Sequence, residues 1–66
     1  MPTIFFYGPD LEKEKRRELI RRFTQAASEI TGIDQSAFVV YLRPSDRDRV
    51  GVGGELLEDV IKRNNA

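Results

Sequence analysis

The residue of this chain best placed to do chemistry is Pro2, which directly follows Met1. Because the second residue is small, we expect Met1 to be removed, so that the mature chain begins at Pro2. An N-terminal proline presents a secondary amine at the end of the chain. With a pKa lowered into the neutral range, that amine can accept a proton at physiological pH and return it, which makes Pro2 a candidate acid–base group.

The composition removes most other candidates for acid–base or metal chemistry. The chain has no cysteine and no histidine. Without cysteine there can be no disulfide and no thiolate site, and without histidine the common zinc sites are excluded. We therefore expect no metal and no cofactor, and Pro2 stays the best candidate base.

One reaction open to a base of near-neutral pKa is proton transfer next to a carbonyl, which would also need a positive group to hold the developing enolate. A carboxylate substrate would call for arginine, which can bind it bidentately. Three arginines flank the loop after the second predicted strand: Arg43, Arg47 and Arg49. Arg43 is the best candidate for a substrate carboxylate, because it lies at the end of the strand. Arg47 and Arg49 are more simply interpreted as solvated loop charges.

Length and charge limit the class of protein. A chain of 66 residues forms one domain, residues 1–66, and buries only about 60% of its unfolded surface. Small domains without disulfides or metals usually depend on partner subunits, so we expect a homo-oligomer. The balance of 11 basic and 11 acidic residues argues against nucleic-acid binding. The apolar run at residues 4–7 is too short for a signal peptide or a membrane span, so a cytoplasmic protein without a membrane partner is expected.

The pattern along the chain predicts a strand, a helix and a second strand. Residues 3–7 are β-branched or aromatic and stop at Gly8-Pro9, which indicates a strand closed by a turn. A helix should run from an N-cap at Asp10 to Gly32. Residues 34–36 are turn-like, residues 38–42 form the second strand, and residues 44–48 are a polar loop. The apolar stripe of the helix comprises Leu19, Ile20, Phe23, Ala26, Ala27 and Ile30.

The C-terminal part predicts smaller elements. The glycines of residues 51–54 favour a hairpin or a close backbone approach. Residues 55–63 have the pattern of a short helix, and residues 64–66 should fray. The fold class is therefore α+β: a parallel β-α-β unit with a C-terminal hairpin and short helix. Two strands and one helix leave a sheet edge and a sheet face exposed, which edge-to-edge pairing and packing of subunits would cover.

With these features the chain resembles the 4-oxalocrotonate tautomerase family over nearly its whole length. The resemblance rests on Pro2 after Met1, a length near sixty residues, the β-α-β order and the segment Gly51-Val52-Gly53-Gly54-Glu55-Leu56. Residues 15–19 and 26–29 also look like the helix of that family.

The resemblance implies fold, assembly and activity. Its members form dimers through a shared four-stranded sheet, and dimers often assemble into hexamers as trimers of dimers. The N-terminal proline, here Pro2, is their general base in keto–enol isomerisation of a 2-hydroxydienoate or related unsaturated keto acid. Arginines, some from a neighbouring subunit, bind the substrate carboxylates, and the glycine-rich hairpin helps to wall the pocket.

This chain departs from the family pattern at the substrate-binding positions. Val39 stands where the family usually has an arginine early in the second strand, and Val50 stands where it has an aromatic residue before the glycines. The arginine in the turn before the helix has no counterpart in Pro9-Asp10-Leu11. These departures make 2-hydroxymuconate a less certain substrate and leave Arg43 as the candidate replacement.

Two other functions fit the same sequence. The first is a hydratase or dehalogenase reaction, in which Pro2 acts as an acid and a carboxylate activates water. The second is a non-catalytic oligomeric binding module, which loss of the usual arginines would accompany. A Pro2 amine that titrates well above neutrality would favour the first. The state of the N-terminus bears on the second, because a retained Met1 would make the nitrogen of Pro2 an amide that cannot be the base.

Overall fold

Two parallel strands and one long helix form the larger part of the molecule in the computed structural model, which describes residues 1–64. Strand β1 (Thr3–Gly8) leads to helix α1 (Lys13–Thr31), which returns the chain to strand β2 (Val39–Pro44). The two strands pair in parallel with Thr3 opposite Val39 and Tyr7 opposite Arg43. The predicted β-α-β unit and its parallel strands are confirmed.

Alternation along the two strands separates a helix face from an open face. Ile4 and Phe6 of β1 are half-buried beneath α1, where the Phe6 ring lies 5.8 Å from the ring of Phe23. The intervening residues point away from the helix, so that Phe5 is 56% and Tyr7 is 64% exposed. The single chain therefore covers only one side of its sheet.

Helix α1 begins later than the sequence suggested. Its N-cap is Glu12, whose side chain makes no capping hydrogen bond, so the prediction of Asp10 as the N-cap was wrong. Leu11 is half-buried at a cavity that Phe6 and Leu42 also line, and Glu12 has an extended backbone, with φ −60° and ψ 154°.

The C-terminal end of α1 agrees with the prediction. Gly32 adopts a φ of 77° and donates its backbone N–H to the carbonyl oxygen of Ser28 at 2.9 Å. A short 3-10 turn, Gln35–Ala37, then leads to β2, and the Asp34 carboxylate accepts a hydrogen bond from the backbone N–H of Ser36. Strand β2 lies one to two residues further along the chain than expected, since Phe38 caps this turn.

The apolar stripe of α1 is wider than the sheet beneath it. Leu19, Phe23 and Ala27 are half-buried, whereas Ile30 is 85% exposed. Neighbouring strands lie about 5 Å apart, so a sheet of two strands is narrow. It leaves part of the apolar face of the helix exposed. No residue within 1–64 is fully buried, so the chain by itself has no closed hydrophobic core.

A hairpin and a second helix follow the sheet. Strands β3 (Gly51–Val52) and β4 (Glu55–Leu56) pair antiparallel, and helix α2 runs over Leu57–Asn64. The hairpin was predicted correctly, whereas Glu55 and Leu56, expected in the helix, belong to β4. The expected fraying concerns residues 64–66, of which Asn64 ends α2 and the other two lie outside the described residues.

An ion pair ties the hairpin to α2. The Arg63 guanidinium donates two hydrogen bonds to the two carboxylate oxygens of Glu55, at 2.7 and 3.0 Å. These hydrogen bonds hold the pKa of Glu55 below its usual value. Glu55 is therefore an ionised partner of Arg63 in this structure.

None of the helices within residues 1–64 combines the length and the apolar character that crossing a membrane would require.

The hairpin turn predicts a backbone-specific loss of stability. Gly54 has a φ of 86°, and no heavy atom lies within 4 Å of the position that an added Cβ would take. Gly54→Ala should lower the free energy of unfolding by about 1 kcal/mol, because an L-residue is strained at positive φ. Urea unfolding at fixed protein concentration measures it. Gly51→Ala is the control, since its Cβ would only touch the Glu55 carbonyl oxygen at 3.7 Å; equal losses in both variants would contradict the argument.

The Glu55–Arg63 pair predicts a pH-dependent difference in stability. A carboxyl whose pKa is lowered by folding stabilises the protein above its unfolded pKa, and that contribution is lost as the pH falls through the folded value. Glu55→Gln should therefore be less stable than wild type near pH 7, and the difference should shrink as the pH falls below 4.5, the ordinary glutamate value. Urea midpoints across this pH range test it, with Glu29→Gln as control. A difference that is constant with pH would exclude the ion pair as its cause.

Candidate active site

Pro2 lies at the amino end of the parallel sheet, one residue before β1. Its carbonyl oxygen accepts a hydrogen bond of 3.0 Å from the backbone N–H of Val39. This hydrogen bond to the start of β2 fixes the backbone of Pro2. Pro2 is half-buried, whereas Met1 is 91% exposed. Removal of Met1 would free the Pro2 amine at a place where the backbone is already held.

Val39 is the candidate residue that the structure brings next to Pro2. It is the first residue of β2, it is half-buried, and it faces the same side of the sheet as Phe5 and Tyr41. A valine here gives the amino end of the sheet an apolar surface without a charge. Val39 therefore adds an apolar side chain and no charge to the end of the sheet where Pro2 lies.

Arg43 lies at the opposite end of the sheet. It pairs with Tyr7, five residues along β1 from Pro2, which corresponds to about 16 Å at the rise of a parallel strand. Its guanidinium carbon is 5.6 Å from the centre of the Tyr41 ring, and Tyr41 stacks on Phe5 with ring centres 5.1 Å apart. One chain therefore does not bring Arg43 and Pro2 together.

Val50 also lies away from Pro2. It precedes β3, and its carbonyl oxygen accepts a hydrogen bond of 2.7 Å from the backbone N–H of Leu57. Together with Tyr7 and Pro9 it lines a recess of about 380 Å3 next to the carboxyl end of β1. We call this space the Val50 recess. Ser45 and Arg47 complete its wall with a hydroxyl and a cation.

A smaller cavity of about 60 Å3 lies at the carboxyl ends of both strands, beside the turn into α1. We call it the carboxyl-end cavity. Its wall combines apolar and charged side chains: Phe6, Leu11, Leu42, Asp10, Arg16 and Arg43. It shares Pro9 with the Val50 recess, so the two spaces are neighbours.

Sequence reasoning placed Arg43 among the candidates but missed Arg16. Arg16 lies off the apolar stripe of α1, on the side where basic residues are expected to be solvated. Other arginines of α1 form ion pairs within the helix: Arg17 pairs with Glu14, and Arg21 and Arg22 both pair with Glu18. Arg16 makes no such ion pair within residues 1–64. The spacing of three or four residues between each glutamate and arginine predicts those ion pairs. It does not predict which arginine lines the cavity.

No group of three or more metal-binding side chains occurs within residues 1–64. The charged residues at the carboxyl end of the sheet are two arginines and one aspartate, a set that suits an anion better than a cation.

Comparison with known proteins agrees with the β-α-β unit and the glycine hairpin. The sequence profile of a family described as "Tautomerase enzyme" matches residues 2–60. A search of curated protein sequences found no match.

Solved structures of similar proteins share the fold. The crystal structure of DmpI from Archaeoglobus fulgidus is 41% identical in sequence and superposes with a TM-score of 0.77, covering 88% of this chain and all of that one. A further crystal structure of a 4-oxalocrotonate tautomerase homologue is 33% identical, with a TM-score of 0.71 and coverage of 89% and 95%.

A third crystal structure is that of YwhB, a homologue of 4-oxalocrotonate tautomerase. It is 27% identical, has a TM-score of 0.77, and the match covers 88% of this chain and 97% of that one. The family profile spans nearly the whole chain and begins at Pro2, and the similar structures cover it over the same length. The chain belongs to the tautomerase family.

Proposed function

We propose that the protein is a cofactor-independent tautomerase in which the amine of Pro2 is the general base. The position of Pro2 is the main support for this proposal. Pro2 is half-buried just before β1, and its carbonyl oxygen accepts a hydrogen bond from the backbone N–H of Val39. The family match starts at this residue. The substrate class is an enol or unsaturated keto acid with at least one carboxylate.

The chemistry requires a base that can lose its proton again. The amine of a mature Pro2 would remove a proton from the dienol and return it to a carbon, with no net change to the enzyme. Apolar neighbours such as Val39 disfavour the protonated amine and so favour the free base at neutral pH. A cation must bind the carboxylate and hold the charge that develops on the enolate oxygen.

The water-adding alternative needs a carboxylate beside Pro2. The residues that the parallel register puts at this end of the sheet are Thr3 and Val39, neither of which is acidic. This favours the isomerase over the hydratase or dehalogenase reaction.

The active enzyme is proposed to be a homo-oligomer. Phe5, Tyr7 and Tyr41 leave an apolar surface on the open face of the sheet, with Tyr41 43% exposed. The outer edges of β1 and β2 are also unpaired, since each strand has one partner in the described chain. Pairing of edges would give a four-stranded sheet in a dimer, and packing of open faces would bury the aromatic side chains. A cytoplasmic location remains a prediction.

The proline-base proposal predicts the behaviour of the N-terminus. Pro2→Ala should lower turnover of 2-hydroxymuconate or phenylenolpyruvate by about 100-fold or more, because a positioned acid–base group typically contributes at least that much. Steady-state kinetics on protein shown by mass to start at Pro2 gives the reference rate. A chain that retains Met1 is the control, since it keeps the Pro2 ring but lacks the free amine, and it should be equally inactive. Unchanged turnover in Pro2→Ala would end the proposal.

The assembly proposal predicts dissociation when a charge enters the open face. Phe5→Glu should shift the protein from an oligomer to a smaller species, because packing would bury a carboxylate without a partner. Sedimentation equilibrium measures the mass, and Lys15→Glu, an exposed change on α1, is the control. If Phe5→Glu retains the wild-type mass, the open face is not the interface.

A further inference from the structure

We propose that the side-chain hydroxyl of Thr3 donates a hydrogen bond to the enol or keto oxygen of a substrate bound at Pro2. The inference deepens the proposed tautomerase function and rests on it, including the removal of Met1. It makes Thr3 a second residue of this chain, after Pro2, that contacts the reacting part of the substrate.

The hydroxyl of Thr3 lies beside the group that Met1 places on the nitrogen of Pro2. Thr3 Oγ1 donates a hydrogen bond to the carbonyl oxygen of Met1 at 3.4 Å. That carbonyl is bonded directly to the Pro2 nitrogen in the peptide plane, so its oxygen lies next to the nitrogen. The hydroxyl therefore faces the space that Met1 vacates when it is removed.

The same space is where a substrate must lie to exchange a proton with Pro2. A general base acts on a group within hydrogen-bond reach of its nitrogen, and the free amine is open on the side that was bonded to Met1. The carbonyl oxygen of Met1 thus stands in for an oxygen of the substrate. The hydrogen bond that Thr3 donates to it becomes available to that oxygen.

The contacts that hold Thr3 do not depend on Met1. The carbonyl oxygen of Pro2 accepts the hydrogen bond of 3.0 Å from Val39, and Thr3 is the residue that pairs with Val39 in the sheet. These contacts lie on the far side of Pro2 from the bond that is cleaved. Because threonine is β-branched and has few side-chain rotamers, its hydroxyl can take few positions.

The surroundings leave this hydroxyl free for a ligand. Thr3 is exposed, and the side chain of Val39 across the sheet has no polar group. The distance of 3.4 Å to the Met1 oxygen exceeds the range of about 2.5–3.0 Å that is usual for O–H···O, so this hydrogen bond is weak. A substrate oxygen that replaces it would receive a donor where negative charge develops during proton transfer.

Binding of a stable 2-keto diacid tests the contact without turnover. Isothermal titration calorimetry of 2-oxoadipate, with protein shown by mass to start at Pro2, should give a Kd about fivefold higher for Thr3→Val. Valine keeps the β-branched shape and removes the hydroxyl. Thr3→Ser keeps the hydroxyl and should bind within about twofold of wild type. Adipate, which lacks the keto oxygen, is the matched ligand, and Thr3→Val should leave its Kd unchanged.

Turnover gives a second measure of the same contact. In steady-state kinetics with phenylenolpyruvate, Thr3→Val should lower kcat/KM by about tenfold or more, because a hydrogen bond to a charged oxygen is stronger than one to a neutral oxygen. Thr3→Ser should restore most of the rate. A rate for Thr3→Val equal to that of wild type would overturn the inference.

The outcomes separate this inference from the proposed function. If Pro2→Ala keeps its turnover while Thr3→Val binds 2-oxoadipate weakly, the proline mechanism fails and the Thr3 contact stands. If Thr3→Val binds 2-oxoadipate as tightly as wild type does, or if wild type does not bind it, the Thr3 contact is wrong, and Pro2→Ala still decides the proline mechanism. Equal weakening for adipate and 2-oxoadipate would assign Thr3 a structural role and would also overturn the inference.

Discussion

The parallel pairing of β1 with β2 determines where every candidate functional group lies. In a parallel pair the amino ends of both strands meet at one edge and the carboxyl ends at the other. Pro2 and Val39 therefore share one end, joined by a backbone hydrogen bond, while Arg43 lies at the other end with the turn into α1. Pro2 and Arg43 of one chain are separated by the length of its sheet, so the proposed function would need a second copy to bring such groups together.

The same constraint explains why the chain is incomplete as a monomer. One helix covers one face of two strands, and the aromatic residues of the open face stay in contact with solvent. Local interactions stabilise α1 instead: Glu18 accepts hydrogen bonds from Arg21 and Arg22, which lowers its pKa to about 2. Such exposed pairs contribute little individually, because water and salt screen them. Most of the missing stability must come from apolar surface that assembly removes from water.

The sequence predicted which helices and strands form, but it did not predict all of their ends or the carboxyl-end cavity. Period-two and helical patterns, the C-terminal Gly32 and the paired glycines of the hairpin all have local physical causes, and each was predicted correctly. The start of α1 was predicted wrongly, because Asp10 has the residue type of an N-cap but the helix begins after Glu12, which makes no capping hydrogen bond. The sequence also did not predict that Arg16 lines the same cavity as Arg43, because the two residues come together only in the folded chain.

The valine at position 39, in place of an arginine, affects the charge around Pro2. An apolar residue beside Pro2 favours the free amine, whereas a cation there would bind substrate directly at the base. With Val39 in that position, the parallel register puts no arginine opposite the start of β1, and Arg43 lies at the far end of the sheet. Under the proposed function, a cation that binds a substrate carboxylate must therefore approach Pro2 from a neighbouring subunit, so that assembly would contribute to the site as well as to stability.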